Sequence, residues 1–177
     1  GGIPRGLSPI QINGYNAYYA NQDPVELGPV TMQNVIYGNN WLAQTDGPDI
    51  ISPNTTITNC LIQSADDTLK LQSNDTGNYT NNVCISGGAG APIAVGGYGN
   101  SGNVKNINCR GNSIIRLTHE KEDPGGTEYQ RAIFNFINNT CTSHFYDNIS
   151  ILDTYCPQVG GILQGNSPNR ILSLGYI

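Results

Sequence analysis

Asp46, in Gln44-Thr45-Asp46-Gly47, and the pair Asp66-Asp67, in Ala65-Asp66-Asp67-Thr68, set three carboxylates about one structural repeat apart along the chain. Such a set suits cleavage of a glycosidic bond. That reaction takes one carboxylic acid to protonate the leaving oxygen and another carboxylate to activate water, about 6.5–9.5 Å apart when configuration is inverted. In stacked strands, residues one repeat apart are roughly one strand spacing apart, and side-chain reach extends this toward that window. Crowding three carboxylates raises the pKa of at least one, as a general acid needs near neutrality. Singly, the residues have plainer readings: Asp46-Gly47 is a turn dipeptide, and Asp66-Asp67 ahead of a strand can be a cap or a Ca²⁺ ligand pair.

The elements that must position them repeat with nearly the same period. Asn54-Thr-Thr-Ile-Thr-Asn-Cys60 is echoed by Asn78-Tyr-Thr-Asn-Asn-Val-Cys84 and by Asn103-Val-Lys-Asn-Ile-Asn-Cys109, at intervals of 24 and 25 residues. Weaker echoes begin at Pro29, Asn148 and Asn169. Each unit opens on Asn or Pro, runs through a period-2 strand, and continues in short apolar runs such as Leu69-Lys-Leu71, Ile93-Ala-Val95 and Ile114-Ile-Arg-Leu117. Helical periodicity is almost absent. Periods of this length mark solenoids, and short strands predict an all-β parallel β-helix of about six to seven coils. Val35, Cys60, Cys84 and Cys109 are expected to form one inward column. Ser64-Ala65 is expected to be a turn or bulge that brings both Asp66 and Asp67 to one surface.

Residues 29–177 form the predicted solenoid, and residues 1–28 a cap, a partial coil or a surface for a neighbour. Glu120 to Glu128 holds four acidic residues, interrupts the repeat and reads as an inserted loop, a groove wall, a partner contact or a solvated excursion. The first residue is Gly and no signal peptide precedes it, which predicts a processed chain or a segment of a longer one.

Charged residues are only 12% of the chain and Gly numbers 22, as expected where polar turns rather than salt-bridged helices satisfy the backbone. A formal net charge of −5 argues against nucleic acid or an anionic membrane as partner. No apolar run is long enough to span a membrane. Sequons at Asn54, Asn74, Asn78, Asn138 and Asn148 predict a secreted glycoprotein, with three of them on the Asn that opens a unit. Cys60, Cys84 and Cys109 are expected to be buried thiols or to include a disulfide, and Cys141 with Cys156 is a candidate pair. His119 and His144 have no metal-ligand spacing with the cysteines, so no metal or cofactor is expected. Gly87-Gly88-Ala89-Gly90 lacks the Lys-Ser/Thr of a phosphate loop and reads as a tight corner.

Trp41-Leu-Ala-Gln-Thr-Asp-Gly47, Asp66-Asp67-Thr-Leu-Lys-Leu71 and Gly90-Ala-Pro-Ile-Ala-Val-Gly-Gly-Tyr98 together resemble the catalytic core of the dextranase and isopullulanase family of glycoside hydrolases. The order and spacing more distantly resemble those of the polygalacturonases. The resemblance covers roughly residues 29–177. It implies an inverting hydrolase on a right-handed parallel β-helix, with Asp66 as general acid and Asp46 with Asp67 holding and activating water. Lys70 falls beside the site, to hold a sugar hydroxyl or tune a carboxylate, and Trp41 and Tyr98 are candidate stacking platforms. Polygalacturonases carry Gly-His-Gly and Arg-x-Lys where this chain has Gly88-Ala89-Gly90 and Arg116-Leu117-Thr118. The missing His and Lys argue against a uronic acid and for a neutral, α-glucan-like polysaccharide, with Arg116 still able to reach a hydroxyl. The competing reading is a noncatalytic building block of an extracellular glycoprotein assembly, self-associating through open ends.

Overall fold

The structure is a computed structural model and describes residues 11–13, 28–38, 46–73, 75–87, 90–96, 104–116, 133–137, 146–156 and 172–174. These residues form an all-β architecture without a helix, in which every strand pairing is parallel. One sheet stacks β2 (Val30–Gln33), β5 (Thr55–Thr58), β8 (Gly77–Thr80), β11 (Val104–Arg110) and β14 (Tyr146–Leu152). A second stacks β3 (Ile36–Gly38), β6 (Leu61–Ser64), β9 (Val83–Ser86) and β12 (Ser113–Arg116). A third stacks β7 (Leu69–Leu71), β10 (Ile93–Gly96), β13 (Phe134–Ile137) and β15 (Leu172–Leu174), and β1 (Gln11–Asn13) pairs with β4 (Asp49–Ile51). In chain order, β5 to β13 visit the three large sheets in strict rotation, so neighbours in each sheet come from successive repeats.

The corner between the first and second sheets follows from one backbone requirement. Asn34, Asn59, Asn81, Gly111 and Asp153 all have positive φ, between 52° and 68°. Asn, Asp and Gly are the residues that tolerate this left-handed conformation at small cost. The amides of Asn34, Asn59, Asn81 and Gly111 each reach the carbonyl one repeat on, for example Asn59 N–H to Thr80 C=O at 3.1 Å and Asn81 N–H to Arg110 C=O at 3.0 Å.

The next position turns inward and carries an internal amide ladder. Asn82 Oδ1 accepts the Cys60 N–H at 3.0 Å, and Asn112 Oδ1 accepts both the Asn82 N–H and its Nδ2, each at 3.0 Å. Asn112 Nδ2 donates to Tyr79 C=O at 2.8 Å, and Asn82 Nδ2 donates to Ile57 C=O at 3.0 Å. Both side chains are buried, so every one of these partners would otherwise be stranded. Asn112→Leu is expected to lower stability by about 2–4 kcal/mol, since stranded buried polar groups cost about 1–3 kcal/mol each. The check is a denaturant midpoint, with Asn108→Leu on the exposed face staying near wild type.

The register corrects the expected cysteine column. Cys109 pairs with Tyr79, which pairs with Ile57, whereas Cys84 pairs with Ile62 and Ile114 in the second sheet, and Cys60 sits at the corner with Asn82. The aligned Asn-to-Cys segments differ by whole residues because the repeat is uneven: equivalent positions are 22 residues apart from Thr58 to Thr80, 30 from Asn82 to Asn112 and 42 from Asn106 to Asn148. Cys60, Cys84 and Cys109 are free buried thiols. Burial pushes the thiols of Cys84 and Cys109 up, the latter to about 12, so both stay protonated and pack as small apolar groups.

The core comprises the inward side chains of the three large sheets, with Ile57, Tyr79, Ile62, Leu69, Leu71, Ile93 and Val95 fully buried. Tyr79 accepts the backbone N–H groups of Gln72 and Ser73, both at 3.3 Å, tying the third sheet's strand end to the first sheet.

Candidate active site

The turn Ala65–Thr68 leads from β6 to β7, and two glycines from neighbouring repeats close on it. Gly47 N–H donates to Asp67 C=O at 2.7 Å, and a Cβ at Gly47 would lie 1.8 Å from the Thr68 carbonyl oxygen. On the other side, a Cβ at Gly90 would lie 2.2 Å from Asp66 Oδ1 and 2.4 Å from the Asp67 nitrogen. Ser64 Oγ donates to Thr68 Oγ1 and lies 3.1 Å from the Asp66 carbonyl, closing the turn from within. No side chain larger than hydrogen fits at either glycine without parting the strands.

This packing brings Asp46, Asp66 and Asp67 together, with one carboxylate oxygen of each within 4.8 Å of the others. The nearest oxygens are closer than the roughly 6.5–9.5 Å that separates the carboxyl groups of inverting enzymes. Two oxygens this close are within reach of one water hydrogen bonded to both at about 2.8 Å.

The three carboxyls have different surroundings. Asp66 and Asp46 are half-buried, and Asp67 is 3% exposed. Asp66 Oδ1 accepts the Asp67 N–H at 2.9 Å, and Asp67 Oδ1 accepts the Ala91 N–H at 2.8 Å. Burial, followed by the charges of Asp66 and Asp46, raises Asp67 well above the usual carboxylate range, against the opposing pull of Lys70 and the Ala91 N–H. Tyr37 Oη donates to the Asp46 carbonyl at 3.1 Å, fixing the turn that carries this aspartate.

Lys70 lies beneath the cluster, 4% exposed, with Nζ 3.1 Å from Asp46 Oδ2 and 3.8 Å from Asp49 Oδ2. Burial draws its pKa down, but the carboxylates of Asp46, Asp49 and Asp67 outweigh burial and hold it above its ordinary value. It therefore carries a full charge into the site. With that ammonium already against Asp46, the chemistry drawn from the cluster is that of carboxyl groups. Asp49 was missed from sequence, where Gly47 and Gly90 read only as a turn dipeptide and a tight corner; a Lys in the middle of a buried Leu-Lys-Leu strand was the signal that further anions must face it.

Of the other expected site residues, Arg116 ends β12, whereas Trp41, Tyr98, Asn74, Asn138 and Cys141 lie outside the described residues, as does the 120–130 loop. Asn54 is exposed in the turn before β5, as expected. Asn78 and Asn148 lie inside β8 and β14 rather than on opening turns. Asn78 is nonetheless on the outward face, where its Oδ1 accepts Asn108 Nδ2 at 3.4 Å, and Asn148 is exposed with Nδ2 donating to Asn106 Oδ1 at 2.9 Å.

Compared with protein-family models, curated proteins and solved structures, the chain matches none.

Proposed function

We propose that this chain is a secreted, right-handed parallel β-helix glycosidase that hydrolyses a neutral, α-glucan-like polysaccharide with inversion through Asp46, Asp66 and Asp67. The observation that carries this reading is the cluster itself: three carboxyl oxygens within 4.8 Å, one group buried and raised, one paired to a buried ammonium. Protonation of a leaving oxygen and activation of water need one protonated and one ionised carboxyl, and the cluster holds carboxyls in unlike surroundings. The rotation of the chain through stacked parallel sheets supports the β-helix architecture. The resemblance in Asp46-Gly47, Asp66-Asp67 and Lys70 supports the reaction class.

The test is release of reducing ends from dextran, pullulan, starch and polygalacturonate, with the anomer formed first followed by proton NMR. Hydrolysis of a neutral glucan with inverted configuration is expected, falling about 10²–10⁴-fold in Asp66→Asn, the usual contribution of a positioned proton-transfer group. A retained configuration would overturn the inverting mechanism, which the close carboxyl spacing makes a sharp test. Folded protein that cleaves none of the four would transfer the chain to the noncatalytic, self-associating reading.

A further inference from the structure

We propose that Asp67, rather than its half-exposed neighbour Asp66, carries the resting proton of the cluster and donates it to the leaving oxygen. This exchanges the roles that the resemblance implies for the pair, and it rests on the hydrolase reading above.

The geometry separates the two aspartates. Asp66 reaches solvent, and its Oδ1 is committed as the acceptor of the Asp67 N–H. Asp67 is 3% exposed and is pinned on both sides, its carbonyl by Gly47 N–H at 2.7 Å and its Oδ1 by Ala91 N–H at 2.8 Å. Its Oδ2 accepts no hydrogen bond from the described residues, which leaves that oxygen as the place where a proton becomes a donor. The charged groups facing Asp67 are Asp66 on its own turn, Asp46 from the preceding repeat and Lys70 from β7. The Lys70 ammonium is committed to Asp46 and Asp49, at 3.1 and 3.8 Å. A carboxyl almost wholly buried between two other carboxylates, while the cation pairs elsewhere, is the member of the set that keeps its proton.

In the step assigned here, the Asp67 Oδ2–H bond breaks and its proton passes to the glycosidic oxygen. The bond from that oxygen to the anomeric carbon breaks, with the electron pair remaining on oxygen. A water held by Asp46 forms the new bond to the anomeric carbon and gives its proton to the Asp46 carboxylate. One water is consumed, two hydroxyls appear, and proton exchange with solvent resets both aspartates.

Two measurements test this. The first is a carboxyl ¹³C NMR titration of the intact wild-type protein, with each carboxyl assigned through bonds to its own backbone amide, so that no variant has to fold. The Asp67 carboxyl is expected to stay protonated well above the ordinary aspartate value of about 3.9. In Asp66→Asn its midpoint should move down, because a like charge has been removed. An Asp67 signal that titrates in the ordinary range, or an Asp66 signal that titrates last, overturns the proposal. The second measurement is cleavage of a glycosyl fluoride, whose leaving group needs no proton. It should rescue Asp67→Asn by at least 10-fold relative to polysaccharide while leaving Asp66→Asn impaired; rescue of Asp66→Asn instead overturns it. The titration uses no substrate. A protein that hydrolyses nothing but holds its proton on Asp67 loses the hydrolase reading and with it the donation step, keeping only the proton assignment, whereas an active enzyme with its proton on Asp66 loses this proposal alone.

Discussion

Gly47→Ala is expected to destabilise the protein by about 3–5 kcal/mol and to remove hydrolysis with it, because overpacking and a lost hydrogen bond add at this position. A methyl group there would lie 1.8 Å from the Thr68 carbonyl oxygen, 2.8 Å from its carbon and 3.3 Å from the Asp67 oxygen. These neighbours are all backbone, so relief cannot come from turning a side chain. The two segments must part by more than an ångström, which breaks the 2.7 Å hydrogen bond from Gly47 N–H to Asp67 C=O. That bond holds the Asp46 turn against the Asp66-Asp67 turn, so the carboxylate cluster opens even in molecules that remain folded. Gly28→Ala and Gly38→Ala are the controls: a Cβ at either meets nothing within 4 Å, and their melting temperatures should stay within about 2 °C of wild type. A Gly47→Ala protein with wild-type melting temperature and activity would show that the two turns are not in contact.

Lys70→Met is expected to cost about 3–5 kcal/mol at pH 7, the range for removing one partner of a buried ion pair. Methionine fills most of the space of the lysine stem, so the loss is one of charge rather than packing. Without the ammonium, Asp46 and Asp49 lose the cation at 3.1 and 3.8 Å, and Asp67 loses the one charge that opposes its burial. The pH dependence has a definite sign. Lys70 has a folded pKa raised above its unfolded value, so its contribution is fully present below about pH 10.4 and is lost as pH rises through the folded value. Wild type should therefore lose stability in strong alkali to a degree that Lys70→Met does not. Denaturant midpoints of both proteins across pH 4–11 would check this; a gap constant with pH would mean that Lys70 contributes packing alone.

The aspartates became neighbours for a reason visible in the chain, yet their division of labour was not visible there. Asp46 and Asp66 lie close to one repeat apart, so parallel stacking brings them together whatever the details of the turns. That Asp67 is buried while Asp66 faces out depends on how the Ser64–Thr68 turn closes, with Ser64 and Thr68 bonded across it and glycines pressed on both sides. Lys70 read equally well as a sugar ligand or a carboxylate partner. Its burial against Asp46 and Asp49 decides for the carboxylates, and Asp49 drew no notice in sequence because it lies at the start of an apolar strand.

Local chemistry written in the sequence determined the strands, the absence of helical periodicity, the parallel stacking implied by repetition, and the Asn, Gly and Asp residues able to turn a left-handed corner. Alternation and backbone tolerance act over a few residues and need no partner to be recognised. Register was decided only in three dimensions. The repeats are 22, 30 and 42 residues long at different levels, and sequence spacing alone placed Cys60, Cys84 and Cys109 in a column they do not form. Strand pairing is set by which side chains fill the shared interior, and the Asn82–Asn112 ladder and the Ile57–Tyr79–Cys109 column settle it. The charge state of the site was likewise decided by tertiary structure, because burial of Asp67 and Lys70 is a property of the packed repeats and not of either residue's neighbours in the chain.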